Sequence, residues 1–355
     1  MNLLERYIWK SVALSIVGTW FLLTLLVAFF AFLGELGDID PNTNYGTIQA
    51  LIYIAYGIPK TLYEFFPTAT LIGTLLGLGS LSTTHELTAM RAAGLSIGQI
   101  VGITLRLGLV LVVITIILGE WITPKANIAA QTFKSEQLQQ KVAVNAKGIW
   151  VKQGAQMVRI QQVWSTDLLE GVTIYSIDLA KGQLSQIETI AKASYQQGVW
   201  QFQDIHTQLF KTDAVEYSQT PERQVSNFIS PDTLTIATLR PQQLAATELA
   251  DFIAHQQAND LNSAPYELAY WTHFTNPFAT LVMILLAAPL VFGSQRSAGT
   301  GQRVFIGILM GLGFYLLNRI AGNSSLVYGL PPLFAAVAPL LAFLLLGLLL
   351  LRRVR

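Results

Sequence analysis

"VALSIVGTWFLLTLLVAFFAFLG" (Val12–Gly34) decides the fold class of this chain. It holds no charged residue, and it exceeds the roughly 20 apolar residues that a helix needs to cross a bilayer. Arg6 and Lys10 precede it, so a cleavable leader is the competing reading. A leader's apolar region runs for only about 7–15 residues and ends at an A-x-A-like site. This stretch is longer and no such site follows, so it predicts an uncleaved transmembrane helix.

Working outward, five more stretches have the necessary length or nearly so: 65–82, 97–120, 274–293, 304–321 and 331–351. Thr47–Tyr63 is also apolar but carries Pro59 and Lys60, and it extends the second span as a bent interfacial segment. The whole chain agrees with this reading. At 52% hydrophobic and 12% charged over 355 residues, it is too apolar for an ordinary soluble domain. A net charge of +1 without a basic stripe excludes a nucleic-acid partner. There is no cysteine, which excludes disulfides and thiolate metal sites. His85, His206, His255 and His273 are scattered without metal-ligand spacing, so no metal site is expected.

Between the third and fourth spans lies a polar insert with strand-like alternation. "MVRIQQV" (157–163) alternates Val158 and Ile160 with Arg159 and Gln161, and "VWQFQDI" (199–205) does the same with Trp200 and Phe202. Lys181-Gly182 and Gln197-Gly198 supply turns between such runs. Period-two alternation implies a sheet with one apolar face; it does not separate sandwich, barrel and jelly roll. Segment 243–257 has helical spacing and begins the return to the membrane. The expected division is 1–122 (three spans with a short helix at 83–94), 123–266 (a β-domain) and 267–355 (three more spans).

Positive charge sets the orientation. One side collects Arg6, Lys10, Arg91, Arg296, Arg303, Arg352, Arg353 and Arg355; the short loops of the other hold Glu35, Asp38 and Asp40. Both termini and residues 83–94 are therefore expected in the cytoplasm, and the insert outside. Inside the lipid, Gly73/Gly77, Gly98/Gly102 and Gly307/Gly311 form small-xxx-small pairs that permit close helix contact, although such pairs also arise by chance in apolar helices.

"LSTTHELTAMRAAGLSIGQ" (81–99) is a charged island between two spans. Thr83 and Glu86 match a T-x-x-E capping box, and Gly94 stands where a left-handed helix end belongs. Read structurally, Glu86 satisfies an orphan amide for about 1 kcal/mol and Arg91 anchors the inner side. Read functionally, the helix is a docking element with Glu86 and Met90 on one face. Catalysis has no support. Gly94-Leu-Ser-Ile-Gly98 spells G-x-S-x-G, but a nucleophile elbow needs a strand before it, and no phosphate-binding G-x-x-x-x-G-K-[ST] occurs. Arg106, near the inner end of its span, can snorkel, and Glu120 closes the same span at the outer interface.

Taken in order, "ERYIWK" (5–10), "PKTLYEFFP" (59–67), "LLGLGSL" (75–81), "HELTAMRAAGLS" (85–96), "GEWITP" (119–124), "GIWVKQG" (148–154), "APLVFGSQRS" (288–297), "RVFIGILMGLGFYLLNRIAG" (303–322) and "VYGLPP" (327–332) resemble the lipopolysaccharide export permeases of the LptF/LptG family. "GEW" and "GIWVKQG" favour the LptG branch. The resemblance implies a helical membrane protein of six transmembrane helices, with a jellyroll-like periplasmic β-domain between the third and fourth. It implies a non-catalytic permease subunit of an ABC-type exporter in the bacterial inner membrane, which lifts lipopolysaccharide from the outer leaflet toward a periplasmic bridge. The implied partners are an LptF-like paralogue, an LptB ATPase dimer, LptC, and LptA beyond it; the chain itself needs no cofactor, ATP and Mg belonging to the ATPase. The implied ATPase-coupling residues are Glu86, with His85, Met90 and Arg91 around it. The implied substrate contacts are Lys60 and Lys134. This chain departs from its relatives at Glu35, Asp38 and Asp40, where they carry lysines; Glu35 there leaves phosphate or bridging-cation contact open, and Arg319 could supply the missing positive charge. A mechanotransmitting permease of another type, or a membrane-embedded hydrolase, are the other classes. The position of the insert argues against the first and the absence of paired acids, a Ser/Lys dyad or a metal set against the second.

Overall fold

The computed structural model describes the chain apart from residues 1–2, 40–43, 138–148, 179–181, 230–233, 235–240, 294–298 and positions 166, 197, 212, 213, 227, 260 and 355. Asp40, Lys181, Gln197, Arg296 and Arg355 lie outside the described residues. Two compact units emerge, one of residues 1–38, 50–130 and 264–355, the other of 39–49 and 131–263.

The first unit is helical. Its elements are α1 (Leu3–Glu35), α2 (Thr47–Thr83), the short α3 (Glu86–Ala92), α4 (Ile97–Ile117), α7 (Ala264–Phe292), α8 (Thr300–Tyr328) and α9 (Pro332–Val354). A π-helical turn, Leu118–Ile122, joins α4 to α5 (Thr123–Gln137), which carries helical structure past the expected start of the insert. Among the described residues six helices are long and apolar enough to cross a membrane, over Leu3–Asp38, Thr47–Thr83, Ile97–Lys134, Ala264–Phe292, Gly301–Tyr328 and Pro332–Arg353. The second reaches back to Thr47 as one helix with Pro59 and Pro67 inside it.

α2 and α7 are the enclosed helices, whereas α1, α8 and α9 turn large apolar side chains outward. Phe21, Leu22, Phe29 and Phe30 of α1 and Phe305, Leu309 and Ile320 of α8 are exposed. Such faces suit lipid and not water.

Glycine decides which helices touch. A Cβ on Gly73 would lie 2.4 Å from the Ile16 Cα, and one on Gly77 2.7 Å from the Val12 Cα, so α1 and α2 pack backbone to backbone. The Ser11 hydroxyl donates to the Gly77 carbonyl across this contact at 3.3 Å. On α8, Gly307 and Gly311 make room for side chains of α2, since a Cβ on each would lie 2.9 Å from Ile72 Cγ1 and 2.5 Å from Thr68 Cγ2. Gly102 meets nothing within 4 Å and Gly98 only its own cap serine at 3.9 Å. Two of the three pairs thus mark helix contacts.

Proline inside α2 leaves carbonyls for other helices to satisfy. Pro67 has no N–H, which orphans the Tyr63 carbonyl one turn earlier. Asn276 of α7 donates its side-chain amide to that oxygen at 3.3 Å. The Trp20 indole N–H donates to the neighbouring Leu62 carbonyl at 2.8 Å, with its ring set edge-on to Phe66.

The second unit contains a six-stranded antiparallel meander: β1 (Ile149–Gln153), β2 (Gln156–Ser165), β3 (Leu168–Asp178), β4 (Gln183–Gln196), β5 (Val199–Phe210) and β6 (Val215–Val225), in chain order. Among the described residues each strand pairs with its neighbours in sequence. Val158, Ile160, Val172, Ile190, Trp200, Phe202 and Ile205 are buried in its core, as the alternation of β2 and β5 predicts. Gly182 and Gly198 adopt φ of 62° and 87° at the hairpin turns. Strand β6 is exposed almost throughout and lies at the sheet edge, which is why it tolerates Pro221. Opposite that proline, Asp204 adopts φ 54° while the pairing register runs unbroken on either side of it. One ion pair interrupts the apolar core. Arg223 of β6 donates to both carboxylate oxygens of buried Glu188 at 2.7 and 2.9 Å, and that hydrogen bonding raises the guanidinium pKa. Helix α6 (Ala246–Ala258) closes the unit. The Lys152 ammonium of β1 donates to the Asn259 carbonyl just past its end at 2.7 Å.

Candidate functional site

The charged island forms a tight double joint. Helix α2 runs on through Thr83, whose hydroxyl donates back to the Ser80 carbonyl at 2.8 Å. A residue inside a helix cannot take the extended backbone of an N-cap, so the T-x-x-E box expected at Thr83 does not form. The chain instead reverses at His85, in the left-handed region at φ 61°, and α3 begins at Glu86. The Glu86 carboxylate accepts from the Thr84 hydroxyl at 2.9 Å. At the other end, Gly94 at φ 99° closes α3 with the paired bonds of a Schellman motif, Gly94 N–H to the Arg91 carbonyl and Leu95 N–H to the Met90 carbonyl.

A capping box does exist, two residues further on. Ser96 caps α4: its hydroxyl accepts from the Gln99 amide at 3.2 Å, while the Gln99 side chain accepts from the Ser96 N–H at 2.8 Å. That assignment gives the serine of the G-x-S-x-G spelling a structural role. Leu87 buries α3 against the helical core and Met90 is half-buried on the same core, leaving His85, Thr88, Ala89, Arg91 and Ala92 exposed and Glu86 half-buried. Of the four coupling candidates, His85, Glu86 and Arg91 face outward to differing degrees, and Met90 turns inward.

The substrate candidates divide between the units. Lys60 pairs with Glu64 one turn on, at 3.8 Å, with both side chains well exposed. Such an exposed pair is worth about 0.3–0.5 kcal/mol in water. Arg319 donates to the Tyr315 hydroxyl one turn before it, at 2.9 Å. The two helices are antiparallel: Gly307 meets Ile72, and Gly311 meets Thr68. Continued outward along α2, that register brings Tyr315 opposite Glu64 and Arg319 opposite Lys60. Lys60 and Arg319 thus share one level of the bundle, with Glu64 one turn along α2 from Lys60, a carboxylate outside the sequence-based set. The signal was present in its i, i+4 spacing from Lys60 within "PKTLYEFF". Lys134 belongs to the second unit, where its ammonium lies over the Tyr45 ring at 5.6 Å. Glu35 is half-buried at the end of α1.

Two further charged residues within the spans have partners. Arg106 of α4 reaches Glu5 of α1 at 2.5 Å with its guanidinium exposed. Glu120, in the π-turn, faces His273 of α7 at 3.9 Å. The adjoining Gly119 leaves room for the Tyr63 ring, since a Cβ there would lie 2.5 Å from it. Among the described residues no three His, Asp or Glu side chains are grouped to hold a metal ion.

Residues 6–353 match the family model described as lipopolysaccharide export system permease LptF/LptG. Among curated proteins, the lipopolysaccharide export system permease protein LptG of Haemophilus influenzae is 32% identical over 97% of this chain and 96% of its own length. The protein of that name from Escherichia coli (strain K12) is 30% identical over 99% of this chain and 98% of its own.

Proposed function

This chain belongs to the LptF/LptG family of lipopolysaccharide export permeases, and from that premise we propose how it moves its substrate. It is an integral membrane protein and a transport subunit of a multicomponent Lpt system. In the proposed arrangement it sits in the inner membrane with both termini in the cytoplasm and the sheet unit in the periplasm. It pairs with an LptF-like paralogue, and LptC and LptA carry the substrate onward. An LptB ATPase dimer holds ATP and Mg, so this chain needs no cofactor.

The observation that carries the reading is the double joint. α3 is bolted to the helical core by Leu87, and it is connected to α2 through only Thr84 and His85 and to α4 through a four-residue turn capped at Ser96. A force applied to its exposed side therefore reaches two membrane spans without being absorbed by slack. Glu86 offers the ATPase a carboxylate already oriented by Thr84. At the outer end, Lys60 and Arg319 take the phosphates of the lipopolysaccharide headgroup as charge-assisted donors, with Lys134 as a further contact and Glu35 at the close of α1.

The test is Glu86→Ala. The variant is expected to insert and fold but to co-purify less ATPase and to lose most lipopolysaccharide-stimulated ATP hydrolysis. Normal assembly and export by that variant would remove Glu86 from the coupling role.

A further inference from the structure

Glu64 is a carboxylate among groups proposed to bind phosphate, which calls for a reason. Helix stability does not supply one. Lys60 precedes Glu64, the less favourable order for an i, i+4 pair, and the two side chains are 37% and 49% exposed. Nor is the carboxylate a remote bystander. Lys60 lies 3.8 Å from it, and the register of the two helices places Arg319, steadied by the Tyr315 hydroxyl at 2.9 Å, at the level of Lys60. Two cations at one level of a bundle repel each other, and an anion one turn away reduces that cost when no ligand is present.

We infer that Glu64 is a displaceable counter-anion. In the empty site it neutralises Lys60 and Arg319, and a phosphate-bearing lipid headgroup takes those cations over by driving the carboxylate away. The inference rests on the reading of Lys60 and Arg319 as phosphate contacts, and it adds a consequence. Glu64 weakens the hold on the headgroup, so the substrate is captured loosely enough to be released upward. It also sets specificity, because a headgroup with fewer negative charges gains too little from the cations to displace it.

The experiment uses the full chain in nanodiscs, with lipopolysaccharide carrying both lipid A phosphates as probe, its dephosphorylated form as control and inorganic phosphate as competitor. Glu64→Gln should tighten binding of the phosphorylated probe about tenfold at low salt, and leave the dephosphorylated form unchanged. Glu64→Asp, which keeps the charge, should stay within about twofold of the parent. Lys60→Gln and Arg319→Gln should each weaken binding. Unchanged or weaker binding by Glu64→Gln, while the two cation variants still weaken it, overturns the counter-anion and spares the phosphate site. Indifference of the two cation variants overturns both. Release of the lipid by inorganic phosphate alone assigns the site to the free anion and overturns the headgroup assignment.

Discussion

Gly73 and Gly102 are alike in sequence, each half of a small-xxx-small pair inside an apolar helix, and the structure gives them opposite meanings. Gly73 is a contact residue because the backbone of α1 occupies the place of its side chain, 2.4 Å from where a Cβ would be. Gly102 faces open space and shares the spacing by chance. A methyl group should therefore act with opposite signs at the two sites. Gly73→Ala is expected to cost about 1–3 kcal/mol by forcing α1 away from α2. Gly102→Ala is expected to be neutral or to stabilise by up to about 1 kcal/mol through helix propensity alone. Thermal unfolding of the two variants in one detergent checks this. Equal shifts would mean that the α1–α2 contact contributes little to the bundle. The same logic explains why Glu64 was missed as a site residue. One carboxylate in "LYEFFP" reads as an interfacial charge until α8 is laid beside α2 and brings Arg319 to the level of Lys60, one turn away.

At the scale of the element, the spans and the strands were legible because each rests on a long, redundant pattern. Val12–Gly34 has no charge to contradict it, and in β2 and β5 the apolar alternation marks Val158, Ile160, Trp200 and Phe202, all of which are buried. Short signals fared worse, since four residues hold too little information to say where a helix stops. T-x-x-E at Thr83 and S-x-x-Q at Ser96 are both acceptable capping boxes on paper. Only the continuation of α2 through Thr83 disqualifies the first. Strand β6 was illegible for a different reason: an edge strand exposed on both faces, with a proline in it, carries no apolar period at all. The π-turn at Leu118–Ile122 likewise has no sequence signature apart from Gly119, whose meaning depends on Tyr63 from another helix. The cap assignment predicts that Ser96→Ala destabilises the first turn of α4 by about 1 kcal/mol, whereas Thr83→Ala is nearly silent. Hydrogen exchange at the amides of residues 97–100 in the reconstituted protein would show several-fold faster opening in Ser96→Ala only. The reverse ranking would restore the box at Thr83.

At the scale of the whole molecule, the proposed mechanism is a statement about sides. Work enters at α3 and substrate leaves past the sheet, so the two must face different compartments. Charge asymmetry supports that arrangement: Arg6, Lys10, Arg91, Arg303, Arg352 and Arg353 gather at the ends of helices on the side of α3, and Glu35 and Asp38 lie at the opposite end of α1. The absence of cysteine from the chain makes a direct measurement clean, because any introduced thiol is the only one to label. Ala92→Cys places a thiol on the exposed side of α3, and Ser218→Cys places one on the exposed edge strand β6. Neither position is buried, so both variants should fold as the parent does. In intact cells with a permeable outer membrane, an impermeant maleimide should label Ser218→Cys at once, and label Ala92→Cys only after the inner membrane is broken. Immediate labelling of Ala92→Cys would put the coupling helix outside, where no ATPase can reach it. The proposed transmission of force from α3 through α2 and α4 would then fail, while the helical bundle and its lipid-facing surfaces would stand unchanged.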